Sequence, residues 1–230
     1  MAALIEFTDP TATGAGNGNS PTDAYTAART WESTEQQDLT DGGGDTMTCT
    51  CLASSGTADT TVMLIAGWTT GATNYIQIEA ASTDKAVADG WDTAKYRFSV
   101  TDGTNIDFRE DYVRLDGLQI ESIAPTAAGR SILYYTTIAA SNDHRVSNCR
   151  LRGGSHASNW QHLVDLEDSD VNVTIWNTIF EGLDNTLLGN YGTYGTGALI
   201  AYNCTIYGMH RGMRALTASN STVINCAVFN

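Results

Sequence analysis

From Leu115 to the end of the chain, apolar and polar positions recur in a phrase rather than with a single period. With one Asn or Gly taken as position zero, the copies read LDGLQIES, VSNCRLRG, IWNTIFEG, AYNCTIYG and VINCAVFN, and zero falls at Gly117, Asn148, Asn177, Asn203 and Asn225. Two residues before zero stand Leu115, Val146, Ile175, Ala201 and Val223; one after stand Leu118, Cys149, Thr178, Cys204 and Cys226; three after stand Ile120, Leu151, Phe180, Ile206 and Val228. That pattern fits no helical stripe, and it breaks strict alternation at zero. It predicts two short strands with inward side chains, joined by a sharp corner at the Asn or Gly. Ser122, Gly153, Gly182, Gly208 and Asn230, five after zero, are expected at the next corner, because Gly and Asn readily take a left-handed backbone.

The zero positions are separated by 31, 29, 26 and 22 residues, so the strands are constant and the loops vary. Room remains for one more strand per copy, in SILYYTT (131–137), HLVDLE (162–167) and GMRALT (212–217). Three strands per turn predict an all-β chain folded as a right-handed single-stranded parallel β-helix, a solenoid whose coils stack roughly 4.8 Å apart. The hand follows from the general rule for parallel crossovers. Upstream, NYIQIEA (74–80), YRFSVTD (96–102) and NIDFRED (105–111) alternate with period two and are expected to form earlier, less regular coils. In the stretch 21–39, Ala24, Ala27, Ala28, Trp31 and Glu35 fall at helical spacing after Thr22 or Asp23 as N-cap. A short helix there would cover the open end of the strand stack. The expected division is therefore an N-terminal segment with a capping helix (1–45) and a parallel β-helix (46–230). No second cap follows VINCAVFN, so the C-terminal end is expected to be truncated or docked on another subunit; a monodisperse native monomer of 24.6 kDa overturns both expectations.

Composition narrows the partners. With 230 residues and 42% hydrophobic positions the chain can bury a large core. A net charge of −14 with only 12 Lys and Arg argues against nucleic acid, which needs clustered cations. The opening residues lack a basic segment and a long apolar stretch, so no signal peptide is expected; no run of 18 apolar residues predicts a membrane span, and the chain is expected to be soluble. Five cysteines, three of them at one repeat position, read as buried thiols rather than as disulfides or metal ligands. No metal or other cofactor is expected.

Asn148, Asn177, Asn203 and Asn225 resemble the asparagine ladder of the pectin-lyase-like parallel β-helix superfamily, over residues 112–230 and more weakly over 74–111. GWTTGATNYIQIEAA followed by REDYVRLDGLQIES also resembles β-helical proteins of phage and metagenomic origin. The resemblance implies the fold; its members include lyases, hydrolases, adhesins and viral spikes, and resembling spikes are commonly trimers. The family's galacturonase signatures (N-T-D, D-D, G-H-G, R-I-K) are absent.

Candidate chemistry follows from residue type. In DLEDSD, Asp165 and Glu167 would share a strand face, with Asp168 beside them and Glu181 or Asp184 approaching from the next coil, as a hydrolytic carboxylate pair; the same acids also read as a solvated turn. Arg211 and Arg214, in HRGMR, could take a uronate carboxylate or a phosphate, or simply balance the acidic surface. His144, His156 and His162 read as surface or corner residues. Trp160, Tyr191, Tyr194 and Tyr207 lie in or beside the last coils. Trp176 and Tyr202 both precede the Asn and face outward; stacked on adjacent coils they would form a flat strip for sugar rings or for a protein partner, and they read equally as neighbour stacking that stiffens the solenoid. The stretch 182–197 reads as a flexible loop. Two functions follow. One is a virion or extracellular appendage protein (phage spike, fibre or decoration subunit) made in the cytoplasm, binding bacterial surface polysaccharide or other virion subunits. The other is a polysaccharide hydrolase or lyase.

Overall fold

The computed structural model describes residues 3–41, 45–101, 103–123, 130–136, 142–153, 161–183, 190–214 and 221–229. The chain opens with β1 (Ala3–Thr8), α1 (Ala28–Glu35), β2 (Thr46–Cys51) and β3 (Met63–Ile65). It then lays down trios: β4 (Ile76–Ala80), β5 (Arg97–Thr101), β6 (Ile106–Phe108); β7 (Val113–Asp116), β8 (Gln119–Ile123), β9 (Arg130–Tyr135); β10 (His144–Ser147), β11 (Arg150–Gly153), β12 (Gln161–Leu166). Two more follow, β13 (Asn172–Trp176), β14 (Ile179–Gly182), β15 (Asn190–Gly195) and β16 (Ala198–Tyr202), β17 (Thr205–Tyr207), β18 (Arg211–Met213), before β19 (Thr222–Ile224) and β20 (Ala227–Phe229).

Each trio contributes one strand to each of three parallel sheets. The first sheet has eight strands in the order β1-β2-β4-β7-β10-β13-β16-β19; the second runs β20-β17-β14-β11-β8-β5 and the third β18-β15-β12-β9-β6-β3. The fold is all-β and parallel β-helix-like, with one helix among the described residues. The register is the one the repeat predicts. Leu115, Val146, Ile175, Ala201 and Val223 are successive partners in the first sheet, and Ile120, Leu151, Phe180, Ile206 and Val228 in the second. All are buried except Val223 and Val228 in the last pair of strands.

The corner at position zero is left-handed at every copy, with φ of 53° at Asn148, 50° at Asn177, 54° at Asn203, 50° at Asn225 and 71° at Gly117. The second expected corner differs. Of those positions only Gly208 has positive φ (65°), whereas Ser122, Gly153 and Gly182 lie within strands and Asn230 lies outside the described residues. Glycine at 182 answers crowding instead: a Cβ there would sit 2.0 Å from the Gly208 carbonyl oxygen of the neighbouring trio.

Three further expectations change. The helix begins at Ala28, later than the spacing indicates, and its N-cap, Ala27, makes no side-chain cap. Ala24 is buried ahead of it, and the buried helical residues are Ala28, Trp31 and Glu32. The loop predicted over 182–197 contains β15, whose glycines hide a strand: a Cβ on Gly192 would meet Gly212 backbone at 2.2 Å. The first sheet also starts before position 46, since β1 pairs with β2 over six residues.

At this end the unpaired edges are covered by side chains and loop backbone. The free edge of β1 bonds to the segment before the helix through Phe7 N–H to Gly18 O and Tyr25 N–H to Phe7 O. Helix α1 covers β3: Arg29 donates to Leu64 O, and Glu32 accepts from Ala66 N–H at 2.9 Å.

Candidate functional site

Because inward residues alternate with outward ones, each sheet carries rows of outward side chains, one residue per trio. The residues singled out from the sequence fall on three different sheets. Trp176 and Tyr202 are on the first, Glu181 and Tyr207 on the second, and Asp165 and Arg211 on the third; Glu167 and Asp168 lie just past the end of β12 and Arg214 just past the end of β18.

On the third sheet, Leu163 and Val164 are both in the core. Two consecutive inward residues turn His162 and Asp165 to the same opposite side, where the His162 Nδ1 lies 2.8 Å from Asp165 Oδ2. Ser131 Oγ donates to the same oxygen at 2.9 Å. Ser, His and Asp are thus gathered, but the carboxylate sits between hydroxyl and imidazole. A nucleophilic serine needs the imidazole as its own partner, so this order activates no hydroxyl. His162 and Asp165 are 4% and 5% exposed, which corrects the reading of His162 as a surface residue. His144 is also core: it is fully buried against Phe108 and Tyr135, and burial pulls its imidazole down to about 4. His156 and Trp160 lie outside the described residues. Tyr194 stacks on His162 with centroids 4.1 Å apart, and Arg214 lies over Tyr194 and donates to the Tyr191 hydroxyl at 3.0 Å. Arg211 lies over Tyr191 as well.

The second sheet carries a closed ion-pair ladder. Arg150, 5% exposed, is held by Glu181 and bonded to the Tyr207 hydroxyl, and Arg152 is paired with Glu121 and lies over Trp91. Glu181 and Asp165 therefore occupy different sheets, each with partners of its own, and are not gathered as a carboxylate pair. Asp184 lies outside the described residues.

The first sheet holds the expected aromatic strip. Trp176 and Tyr202 are partners in β13 and β16, and their rings stack 5.8 Å apart with planes 6° from parallel. Both are half-buried, and exposed Ile224 continues the row. On the other side the row passes to Ser147 and Asp116. Here a cleft of about 200 Å³ opens, lined by Gln77, Arg114, Leu115, Asp116, Arg145, Ser147 and Trp176.

The cleft's charges are uneven. Asp116 accepts from Ser147 Oγ at 2.7 Å, Asn148 Nδ2 at 2.6 Å and Lys85, and these contacts hold its carboxyl below the usual range despite burial. Arg145 grips Asp143. Arg114, directly beside Arg145 in register, lies on the Tyr75 ring at 3.3 Å. Burial, and then the Arg145 charge, pull its guanidinium below the usual arginine range, though it stays cationic at neutral pH. Arg114 and Arg145 had a signal in the sequence: each stands three residues before position zero, at Gly117 and Asn148.

Among the described residues no His, Cys, Asp or Glu group could hold a metal ion, and no helix is long and apolar enough to cross a membrane. Burial pushes the Cys149 thiol up to about 12 and the Cys204 thiol up to about 11. Comparison with family models, with curated proteins and with solved structures finds no match.

Proposed function

We propose that this chain is a right-handed parallel β-helix solenoid of the pectin-lyase-like kind, with α1 as its N-terminal cap, that serves as a rigid binding scaffold of a virion or surface appendage such as a phage spike, fibre or decoration protein. Its ligand is a glycan on a bacterial surface. The observation that carries this reading is the stacked, nearly parallel Trp176–Tyr202 pair beside a cleft of hydrogen-bonding side chains. Flat aromatic faces take the apolar faces of sugar rings, and polar groups at the rim take their hydroxyls. The handedness rests on the general rule for parallel crossovers. Stacked parallel strands with a continuous core suit a stiff shaft, in which each trio bonds to its neighbours.

A panel of bacterial surface polysaccharides, scored for both binding and released oligosaccharides, tests the proposal. Binding without release is expected, and Trp176→Ala and Tyr202→Ala should each weaken it about tenfold, the loss of one good stacking contact. Release of oligosaccharides, abolished by Asp165→Ala or Glu167→Ala, would establish a hydrolase or lyase instead. Exposed Ile200 and Ile224 flank the strip and favour a second partner, a neighbouring virion subunit. Co-purification of the chain in a symmetric particle, a trimer for instance, would support that reading.

A further inference from the structure

The cleft beside Trp176 holds a cation that the protein leaves without an ion-pair partner. In a chain of net charge −14, Arg29, Arg109, Arg145, Arg150, Arg152 and Lys85 each have a carboxylate within ion-pair distance. Among the described residues Arg114 has none; Lys95, Arg97, Arg211 and Arg214 have none either, but Lys95 and Arg97 donate to carbonyl oxygens, Arg214 donates to the Tyr191 hydroxyl and Arg211 lies over the Tyr191 ring, whereas the Nε of Arg114 is buried without a hydrogen-bond partner. Its neighbour in register is Arg145. Like charges directly opposite on adjacent strands are unfavourable, and the face of Tyr75 and the Asp143 carboxylate held by Arg145 offset only part of that cost. An anion lying between the two guanidinium groups would remove the repulsion and supply the missing partner. The rest of the lining says what carries the anion. Trp176 offers a flat apolar face, Gln77 and Ser147 offer polar groups, and Asp116, matched by Lys85, offers an acceptor that a ligand hydroxyl can meet. A simple inorganic anion has no use for the ring or for the acceptor. At about 200 Å³ the cleft is below the ~300–1,000 Å³ of drug-sized pockets, so it suits one ring rather than a long segment.

We infer that the cleft between Arg114, Arg145 and Trp176 binds a carboxylated sugar unit, its carboxylate on Arg114 and its ring on Trp176. The inference rests on the glycan-binding reading and narrows it to acidic glycans. The experiment uses polygalacturonate, hyaluronate and polysialic acid, the carboxyl-reduced form of each, and dextran, with binding followed by calorimetry at two salt concentrations. At least one carboxylated polymer should bind; carboxyl reduction should weaken it tenfold or more, and Arg114→Gln should produce a similar loss and a smaller salt dependence. Unchanged thermal midpoints and circular dichroism check that Arg114→Gln folds. Equal binding of native and carboxyl-reduced polymers, or equal binding by wild type and Arg114→Gln, overturns the acidic-sugar inference while a loss in Trp176→Ala keeps the glycan reading. Binding that survives Trp176→Ala overturns both at this surface. Absence of binding to every carboxylated polymer overturns the inference alone if a neutral surface glycan still binds through Trp176.

Discussion

The thiol of Cys204 donates to the backbone carbonyl of Tyr202 at 3.4 Å, across a corner where Asn203 holds φ at 54°. Cys149 to Ser147 at 3.1 Å, Thr178 to Trp176 at 3.0 Å and Cys226 to Ile224 at 3.3 Å repeat the bond. At the four asparagine corners the following residue is thus a small donor for the carbonyl before it that also packs inward, whereas at Gly117 the place is taken by apolar Leu118. The recurring phrase is explained by one backbone conformation and one side-chain bond.

The corner gives the first prediction. A left-handed backbone costs an ordinary L-residue roughly 1–2 kcal/mol and glycine almost nothing. Asn203→Ala should therefore lower urea stability by about that amount, and Asn203→Gly should stay within a few tenths of a kcal/mol. Asn148 also bonds to Asp116 and accepts from Asn177 at 3.3 Å, so Asn148→Gly should cost about 1 kcal/mol more than Asn203→Gly. Equal losses for Asn203→Ala and Asn203→Gly would show that the backbone angle is not what the asparagine supplies.

Burial separates the thiols. Cys49, Cys51, Cys149 and Cys204 are at most 2% exposed, and desolvation raises Cys49, Cys149 and Cys204 well above the usual thiol range, whereas Cys226 is only half-buried. Since the thiolate is the reactive form, a disulfide reagent at pH 8 should label Cys226 within minutes and the other four only on denaturation. Peptide mapping by mass spectrometry reads the result; early label on Cys149 would contradict the burial.

The sequence revealed the fold where inward and outward positions alternate around a repeated corner. That is why the partners of Leu115 and Ile120 could be written down in register from the phrase alone. It failed at β15, where inward Gly192 has no apolar signature, and at Asp165, where consecutive core residues Leu163 and Val164 break the alternation. The site was half legible. Trp176 and Tyr202 stand at one repeat position, and so do Arg114 and Arg145. The distribution of carboxylates among the arginines, however, is set by loops such as the one that brings Lys85 to Asp116, and no local pattern encodes it.

His144 makes the third prediction. Its imidazole titrates near 6.5 in the unfolded chain and at about 4 when folded, because burial beside Phe108 and Tyr135 disfavours the charge more than neighbouring Asp143 favours it. Between those values the unfolded state holds the extra proton. Stability from this group is complete above pH 6.5 and falls as the pH drops towards 4, by about 3 kcal/mol in all. Other groups add their own acid dependence, so the readout is a difference: the urea-stability gap between wild type and His144→Phe should shift in favour of the variant by about that amount over the window. A pH-independent gap would refute the assignment.

The last prediction concerns the covered edge. Glu32 is fully buried and accepts from Ala66 N–H at 2.9 Å, Gln36 Nε2 at 3.0 Å and Trp68 Nε1 at 3.4 Å, with Arg29 Nη1 3.4 Å away. One carboxylate thus ties α1 to the segment that follows β3. Glu32→Ala leaves buried donors unmatched and should cost about 3 kcal/mol. Glu32→Gln keeps an acceptor oxygen and should cost less. Because the helix covers the free edge of β3, the loss should be local before it is global. Hydrogen exchange should therefore accelerate at 63–68 and in α1 while β11 and β14, in the middle of the second sheet, keep their protection. Uniform acceleration across all three sheets would show instead that the first strands and the helix unfold only with the whole stack.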